Sequence, residues 1–487
     1  MYTGLRVCHA KYGAGTLRMR LGRDMLVNFD KMKGPALRVP LHELTVPNAN
    51  AATSQPLTLA GARPLQAPVS LAPEAGVNRG EDVRLLEALR LGVVPPGHAE
   101  TYTVGRGGLF TSLRADLDWM RQSQQGAFRV VLGDYGTGKT HLLSWLRETA
   151  LAQNFLVATA TLGSGEASPA YPKRLYNALM QSITYPDIDD ERPGLRPLFE
   201  KLAQRRPVPR SPTAPGYHMY LDAVAFYFTK LWRGADDDSN SAILHALLDW
   251  IEGNPADHSV DWNATLRRQV SGAPYLYALA DYRNFAHVYA YILGGLSALA
   301  VEAGYSGLVL LFDEAEMYNV MRTDLQDFAD NVFKCYALAS LGGGGVKFAP
   351  DSIRVGGMAA HRAIPVRYTG KQPLMCTFCL TPSEKGRAAL GRCVDLTNHE
   401  HQLGELTRAD YAELVQRVAN LFDCVHPGVR PSAGHLQRLA AMLDHGVQTG
   451  QIHNPRAAIR VLVDMLDVAR LVPESLEKFM QQLEAVC

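Results

Sequence analysis

Eight consecutive residues, 133–140, carry the clearest chemical signal in the chain. Their sequence, GDYGTGKT, fits the phosphate-loop pattern GxxxxGK[ST] in full, between the apolar run FRVVL and the helical run HLLSWLRETA. Glycines let backbone N–H groups close around phosphate oxygens, and the start of the following helix adds partial positive charge. In such loops the lysine reaches the β- and γ-phosphates, and the last hydroxyl binds Mg²⁺. We therefore predict nucleotide contacts from Gly133, Asp134, Tyr135, Gly136, Thr137, Gly138, Lys139 and Thr140.

A pair of acidic residues follows the apolar run Leu308–Phe312. If that run is a buried parallel strand, Asp313 is placed to hold Mg²⁺ together with Thr140, and Glu314 to polarise the attacking water as general base. The alternative is a strand that merely ends at a solvated acidic turn. The phosphate loop upstream favours the catalytic interpretation, and the absence of an NKxD-type guanine reader favours ATP over GTP.

Two further residues are candidates for sensing the nucleotide. Thr381 ends the apolar run Leu374–Leu380. If that run neighbours the strand of Asp313, the threonine is expected to contact the γ-phosphate or the lytic water; otherwise it caps a turn. Arg456 begins a predicted helix near the C-terminus. From there its side chain can reach back to the nucleotide; the alternative is an ordinary solvated arginine on a helix. His141 directly follows the phosphate loop, and we expect a packing or loop residue at the edge of the site rather than a catalyst.

Alternating strands and helices must position these residues. From residue 81 the pattern reads helix, helix, strand, phosphate loop, helix, strand, helix, which predicts an α/β fold with a parallel sheet covered by helices on both faces. Residues 186–275 interrupt the alternation and predict a mostly helical insertion. We place the ATPase core at 81–405, and helical periodicity from about residue 406 to 487 predicts a C-terminal bundle of four helices.

The N-terminal segment has a different character. Residues 1–46 contain short apolar runs separated by glycine turns, which predicts a small barrel of about five strands. This segment holds eight Lys/Arg against three Asp/Glu, a net charge of +5, whereas the whole chain carries +1. The excess suits phosphate contacts with DNA, or a solvated barrel that docks a protein. Residues 47–80 are rich in Ala and Pro and predict a linker.

Composition limits the remaining possibilities. The seven cysteines are scattered and odd in number, so a secreted disulfide framework is not expected. Cys376 and Cys379 form a CxxC inside a predicted strand, where alternation directs the two sulfurs to opposite faces and disfavours zinc. The N-terminus does not have the apolar core of a secretory signal peptide. The sequence also has no uninterrupted apolar stretch long enough to predict a membrane-spanning helix. We expect a cytoplasmic protein.

Several stretches of this chain resemble one family, the BREX-system ATP-binding proteins typified by BrxD, which are P-loop ATPases of bacterial phage-defence islands. The stretches are ALRLGVVP (88–95), TVGRGGLF (103–110), GDYGTGKTHLL (133–143), AGYSGLVLLFDEAE (303–316) and NPRAAIRVLVDMLD (454–467). That family is similar to the origin-recognition branch of AAA+ ATPases. The ATPase of the Shango defence system, encoded beside a helicase, is a second relative that this chain resembles.

The resemblance implies an AAA+-type P-loop NTPase with a C-terminal helical lid. It implies that Gly105 and Arg106 lie in a loop near the adenine, and that Arg456 is the arginine of the lid. The basic N-terminal segment, similar to SH3 or Tudor barrels, is not part of the usual core. No winged-helix domain follows the lid, so DNA contacts are expected elsewhere.

Three functions are consistent with these features. The first is an ATP-hydrolysing switch or loader in phage defence, forming a homo-oligomer and acting with a helicase on foreign DNA. The second is an ATP-binding scaffold that assembles defence partners without hydrolysis, which Glu314 argues against. The third is a DNA-binding module with a secondary ATPase. Arg322, Arg354 and Arg362 are candidate arginine fingers without a distinguishing signal.

Overall fold

A computed structural model shows how the chain positions these residues. It describes residues 6–9, 13–21, 24–30, 37–40, 44–46, 55–56 and 79–486, with gaps at 94, 96, 164, 166, 191, 233–237, 255–261, 357–363 and 369–370. The chain divides into two compact units, Met1–Gly76 and Val77–Cys487.

The first unit contains an antiparallel sheet. Its strands are β1 (Arg6–His9), β2 (Gly13–Leu21), β3 (Asp24–Phe29), β4 (Leu37–Pro40), β5 (Leu44–Val46) and β6 (Gln55–Pro56). The strand order is β4-β3-β2-β1-β5-β6, and the described pairings leave β4 and β6 at the edges. Closure into a barrel therefore remains a prediction. The predicted linker lies mostly outside the described residues, although β6 falls within it and pairs with β5.

The second unit is built around a parallel sheet. Its five described strands are β7 (Ala127–Leu132), β8 (Leu156–Thr161), β9 (Leu308–Asp313), β10 (Leu374–Leu380) and β11 (Glu400–Gln402), in the order β11-β7-β10-β9-β8. Every neighbouring pair is parallel. The carboxyl ends of all these strands therefore meet at one edge, and β10 lies between the strand before the phosphate loop and the strand of the acidic pair. The predicted parallel α/β sheet is confirmed.

Helices cover both faces of this sheet. In chain order they are α1 (Arg79–Arg90), α2 (Ala99–Tyr102), α3 (Gly107–Ser123), α4 (Lys139–Ala152), α5 (Pro172–Gln181), α6 (Arg196–Arg205), α7 (Leu221–Leu231), α8 (Asp238–Ile251), α9 (Trp262–Gln269), α10 (Ala286–Glu302), α11 (Thr323–Leu341), α12 (Glu384–Gly391) and α13 (Leu396–His399). One face packs on α3 and α4, and the other on α5, α10 and α11. Helices α6 to α9 lie in the predicted insertion, and α6 and α7 pack against α10.

Burial explains the composition of α10. With the turn before it, this helix is long and apolar enough to cross a membrane by length and composition, yet 83% of the qualifying window is buried inside the protein. It lies between the sheet and the insertion helices. The two CxxC sulfurs illustrate the same two-layer core, because Cys376 and Cys379 belong to apolar clusters on opposite faces, as alternation predicted.

The chain ends in helices α14 (Arg408–Val425), α15 (Ala433–Gln448), α16 (Pro455–Leu471) and α17 (Leu476–Val486). Side-chain caps fix their starts: Thr407 forms a capping box with Asp410, Ser432 caps α15, and Asn454 caps α16 with proline at the first helical position. These helices share an apolar core with α1, through Leu85, Leu86 and Leu89. The fold thus joins α1, distant in sequence, to the C-terminal helices.

Candidate functional site

The phosphate loop connects β7 to α4, and its glycines adopt backbone angles that other residues avoid. Gly136 has φ of 79° and Gly138 has φ of 101°, both in the left-handed region. The Lys139 side chain is buried, and its Nζ donates to the carbonyl oxygens of Gly133 at 2.8 Å and Asp134 at 3.2 Å. Its ammonium group is therefore held inside the loop, where the phosphates of a bound nucleotide would lie.

The sheet brings the acidic pair to this loop. Thr140 Oγ1 donates to Asp313 Oδ2 at 2.8 Å, although 173 residues separate them in sequence. The other carboxylate oxygen, Asp313 Oδ1, accepts from the backbone N–H of Glu314 at 2.9 Å. Together Thr140 and Asp313 offer two oxygen ligands, the donor type that Mg²⁺ prefers. Within the described residues no group of three or more His, Cys, Asp or Glu could hold a metal, so the other ligands would have to be phosphate oxygens and water.

Glu314 has an unusual backbone conformation. Its φ of 56° lies in the left-handed region, which is uncommon for a residue with a side chain. The exposed side chain lines the same cavity as Lys139 and Asp313. Such conformations cost on the order of 1–3 kcal/mol and cluster at functional sites, where the surrounding structure imposes them. Here the hydrogen bond from the Glu314 N–H to Asp313 helps to impose it.

Thr381 lies at the predicted position but does not itself line the cavity. It follows β10, which pairs with both β7 and β9, so it stands at the strand edge between the phosphate loop and the acidic pair. Its backbone N–H donates to Glu316 Oε2 at 3.3 Å, and Glu316 does line the cavity. Glu316 is therefore the link between the backbone of Thr381 and the cavity.

The far wall of the cavity is apolar. It is formed by Val93, Tyr102, Val104, Phe110, Leu406, Leu414 and Ile459, which come from the segments around α1 to α3 and from the C-terminal helices. A slot of this kind suits the flat faces of a nucleobase. The sequence did not indicate that these residues line a cavity. Each of them belongs to a local apolar pattern that is typical of residues in the hydrophobic core.

Gly105 and Arg106 lie at the boundary between this wall and the phosphate loop. Both have positive φ, 65° and 56°, and a Cβ on Gly105 would meet the carboxylate of Asp410 at 2.7–2.8 Å. Arg106 lines the cavity and donates from Nε to the Gly404 carbonyl at 3.0 Å, and its Nη1 would lie 3.3 Å from a Cβ on Gly138. The arginine therefore reaches the phosphate loop as well as the region where the resemblance places the adenine.

His141 is held by a short hydrogen-bond chain. The Thr103 hydroxyl donates to the Ala99 carbonyl at 2.7 Å, so it must accept from His141 Nε2, which lies 2.8 Å away. Burial and, secondarily, the charge of Arg106 lower the pKa of His141 to about 4. The imidazole is therefore neutral near pH 7, which agrees with a packing role at the edge of the cavity rather than acid–base chemistry.

The C-terminal helices reach the phosphate loop through the start of α16. Arg456, in the first turn, lines the cavity, and its backbone oxygen would lie 2.9 Å from a Cβ on Gly92. Asn454, which caps the same helix, lies against the loop so closely that a Cβ on Gly136 would meet its Nδ2 at 2.5 Å. Sequence reasoning missed Asn454; its only local signal is that of a helix cap.

Two of the three candidate arginine fingers, Arg322 and Arg354, do not line the cavity. Arg322 is paired with Asp324 at 3.1 Å and Arg354 with Asp327 at 3.4 Å, and both are exposed. Arg362 lies outside the described residues.

Residues 77–202, which contain the phosphate loop, match the family model described as BREX system ATP-binding protein BrxC/D. Over this segment the chain is similar to the BREX-system ATP-binding proteins BrxC/D. The match confirms the family predicted from the sequence, and the family description supports ATP as the ligand of the cavity. Comparisons with curated proteins and with solved structures give no significant match.

Proposed function

We propose that this BrxC/D-like protein is an AAA+-type ATPase that binds and hydrolyses Mg²⁺·ATP as a switch or loader in a phage-defence system. The observation that carries the proposal is the 2.8 Å hydrogen bond between Thr140 and Asp313. It joins the phosphate loop to the acidic strand end, so one triphosphate and one metal ion would contact both. A chance phosphate-loop pattern would not require an acidic pair at that place.

Each residue then has a defined task. The loop N–H groups and Lys139 would bind the β- and γ-phosphates, and Thr140 and Asp313 would hold Mg²⁺, Asp313 through a water molecule. Mg²⁺ supplies charge neutralisation at the transferred phosphoryl group. Glu314 would orient the attacking water and accept its proton, and Thr381, through Glu316, would report the γ-phosphate. Arg456 would couple the nucleotide to the position of the C-terminal helices, which would act as a lid.

The experiment compares binding with hydrolysis in two variants. We expect Lys139→Ala to lose ATP binding in a calorimetric titration, and Glu314→Gln to bind ATP but to hydrolyse it at least a hundredfold more slowly. Lys385→Ala and Glu384→Gln, which change exposed residues of α12 outside the cavity, are the matched controls and should behave like the wild type. Normal ATP binding by Lys139→Ala would remove the assignment of the site.

A scaffold that binds ATP without hydrolysing it is the second candidate. A phosphate-release assay beside the same titration detects it, because wild-type protein and Glu314→Gln would then bind ATP equally and neither would release phosphate. The exposed Glu314, held in a strained conformation inside the cavity, favours hydrolysis.

The proposal extends to partners. Family membership implies other defence-system proteins, and we propose a helicase as the client, a homo-oligomer as the active form, and DNA contacts from the basic segment 1–46. Deleting residues 1–46 should then reduce DNA affinity and its salt dependence, since phosphate contacts release counterions on binding. If the deletion left both unchanged, DNA binding as the primary function of this segment would be excluded.

A further inference from the structure

Arginine and aromatic side chains are interleaved on the second unit, at the carboxyl edge of the sheet but outside the residues that line the nucleotide cavity. We call the group Tyr171, Arg174, Tyr282, Arg283 and Phe328 the arginine–aromatic surface. Tyr171 precedes α5, Tyr282 and Arg283 precede α10, and Phe328 lies in the second turn of α11. Helices α5 and α11 start where β8 and β9 end, and α10 starts at the same edge because it runs back towards β9. The fold thus gathers side chains from three distant segments.

Cation–π contacts organise this surface. The guanidinium carbon of Arg174 lies 4.3 Å from the centroid of the Tyr171 ring, and that of Arg283 lies 4.8 Å from the same centroid. Arg283 also lies 5.4 Å from the Phe328 ring centroid and donates to the Tyr171 hydroxyl at 2.7 Å. A guanidinium stacked in this way keeps its full charge, and its plane and remaining N–H groups can still bind a further aromatic ring or a phosphate.

The surface is accessible. Tyr282 is 56% exposed, and the Arg174 side chain is 49% exposed. Tyr282 is adjacent to Arg283 in the chain, whereas Tyr171 and Phe328 are partly buried. An exposed aromatic ring close to arginines is an arrangement on which single-stranded nucleic acids stack their bases and place their phosphates.

Carboxylates face the surface as well, and they leave it positive. Asp281 pairs with Arg174 at 2.9 Å, and at the margin Asp327 pairs with Arg354 and Asp324 with Arg322. Among the described residues no carboxylate lies within ion-pairing distance of Arg283. The half-buried Lys173, which precedes Arg174 in the chain and lies near Asp281, adds a further positive charge. The aspartates orient the exposed guanidinium groups, while Arg283 and Lys173 supply the excess of cations that a polyanion requires.

Two chain segments connect this surface to the acidic pair. The backbone N–H of Leu162 donates to the Asp313 carbonyl at 2.9 Å, and Tyr171 ends the loop that starts there. On the other side, Glu314 leads through the short 3₁₀ helix Ala315–Val320 into α11, which carries Phe328. A change at the γ-phosphate therefore has a direct path to the surface along both segments.

We infer that the arginine–aromatic surface binds single-stranded nucleic acid, with bases stacked on Tyr282 and on the guanidinium planes and phosphates bound by Arg174 and Arg283. Its residues all belong to the second unit, and none of them is part of the basic segment 1–46. It gives the ATPase core its own contact with unpaired strands, next to the residues proposed to hydrolyse ATP. Unpaired bases are required because a duplex hides its base faces from stacking.

The test is fluorescence anisotropy with the full chain and a labelled 20-nucleotide oligothymidine, with the matched 20-base-pair duplex in parallel. We expect Tyr282→Ala to weaken single-strand binding by about tenfold, a loss of about 1.4 kcal/mol, because the aromatic ring on which a base stacks is removed. Duplex binding should stay within twofold of the wild type. Arg174→Ala combined with Arg283→Ala should weaken single-strand binding and reduce the slope of log K against log salt by about 1.4, at about 0.7 per phosphate contact.

Arg121→Ala is the matched control, since Arg121 is also exposed and paired with an aspartate, Asp118 at 3.0 Å, on α3. Wild-type affinity in Tyr282→Ala, or equal losses for single strand and duplex, would overturn the inference. So would a change in self-association, measured by light scattering, without a change in DNA affinity, because the surface would then bind protein. The DNA-free ATPase rate of the variants should match the wild type, so failure of this inference is distinguishable from failure of the ATPase proposal.

Discussion

The contact between Gly136 and Asn454 gives a sharp test of whether the C-terminal helices set the geometry of the phosphate loop. In Gly136→Ala the new methyl group would meet Asn454 Nδ2 at 2.5 Å, whereas ordinary van der Waals contact begins at 3.4 Å. The nearest atom, Asn454 Cγ, would lie at 2.4 Å, so the loop or the start of α16 must shift by about 1.0 Å. A displacement of about 1 Å in a catalytic arrangement can lower the rate on the order of a hundredfold, so we expect kcat/KM for ATP to fall by about that factor.

A second substitution separates the clash from backbone strain. Asn454→Gly removes the amide that the methyl would meet, and glycine as a helix cap costs only a few tenths of a kcal/mol relative to asparagine. The double variant should recover at least tenfold in kcat/KM. The remaining defect reflects alanine in the left-handed region, about 1–2 kcal/mol.

The control is Gly450→Ala. Gly450 has φ of 77°, close to that of Gly136, but a Cβ there would have no atom within 4 Å. This variant should lose a few degrees in melting temperature and keep its ATPase activity. If the double variant were as inactive as Gly136→Ala alone, the proposed coupling between the loop and α16 would be refuted.

Three further outcomes are expected. Arg456→Ala should lower kcat at least tenfold in a phosphate-release assay. The control Arg460→Ala changes a residue one turn further along α16 that does not line the cavity, and it should keep the wild-type kcat. Equal effects of the two substitutions would place Arg456 outside the site. Asp313→Asn should raise the Mg²⁺ concentration needed for half-maximal activity at least tenfold, with Asp324→Asn as the unaffected control. Burial lowers the pKa of His218 from 6.5 to about 4, and its Nδ1 accepts from the N–H groups of Tyr220 and Leu221. The histidine of the unfolded chain therefore binds a proton more readily than the buried imidazole of the folded protein. The free energy of unfolding, measured by chemical denaturation, should then decline as the pH falls from 6.5 towards 4. His218→Gln should make that decline smaller.

Local signals were enough to predict the parallel sheet and to propose the two halves of the candidate nucleotide site. The phosphate loop is a glycine-containing pattern with an apolar strand before it and a helix after it, all within about 20 residues. Strand β9 is predicted by the five consecutive apolar residues before Asp313. The four C-terminal helices were also predicted, because their apolar periodicity extends over several turns in each helix.

Contacts between segments that are distant in the chain could not be predicted from the sequence. No local pattern indicates that α1 packs with the C-terminal helices, or that Asn454 lies against Gly136, 318 positions earlier in the chain, because both follow from tertiary packing. The short elements α12 and β11 were missed for a related reason. At eight and three residues they have too few periods to stand out, and pairing with β7 rather than propensity holds β11 in place.

The most direct test of the central claim is a structure of the protein with Mg²⁺ and a non-hydrolysable ATP analogue. We expect the triphosphate to lie in the loop 133–140, with Lys139 Nζ at the γ-phosphate, Mg²⁺ bound to Thr140 Oγ1 and linked to Asp313, and Glu314 facing the γ-phosphate through a water molecule. A nucleotide bound elsewhere, or a metal ion that contacts the loop but not the strand of Asp313, would contradict the account.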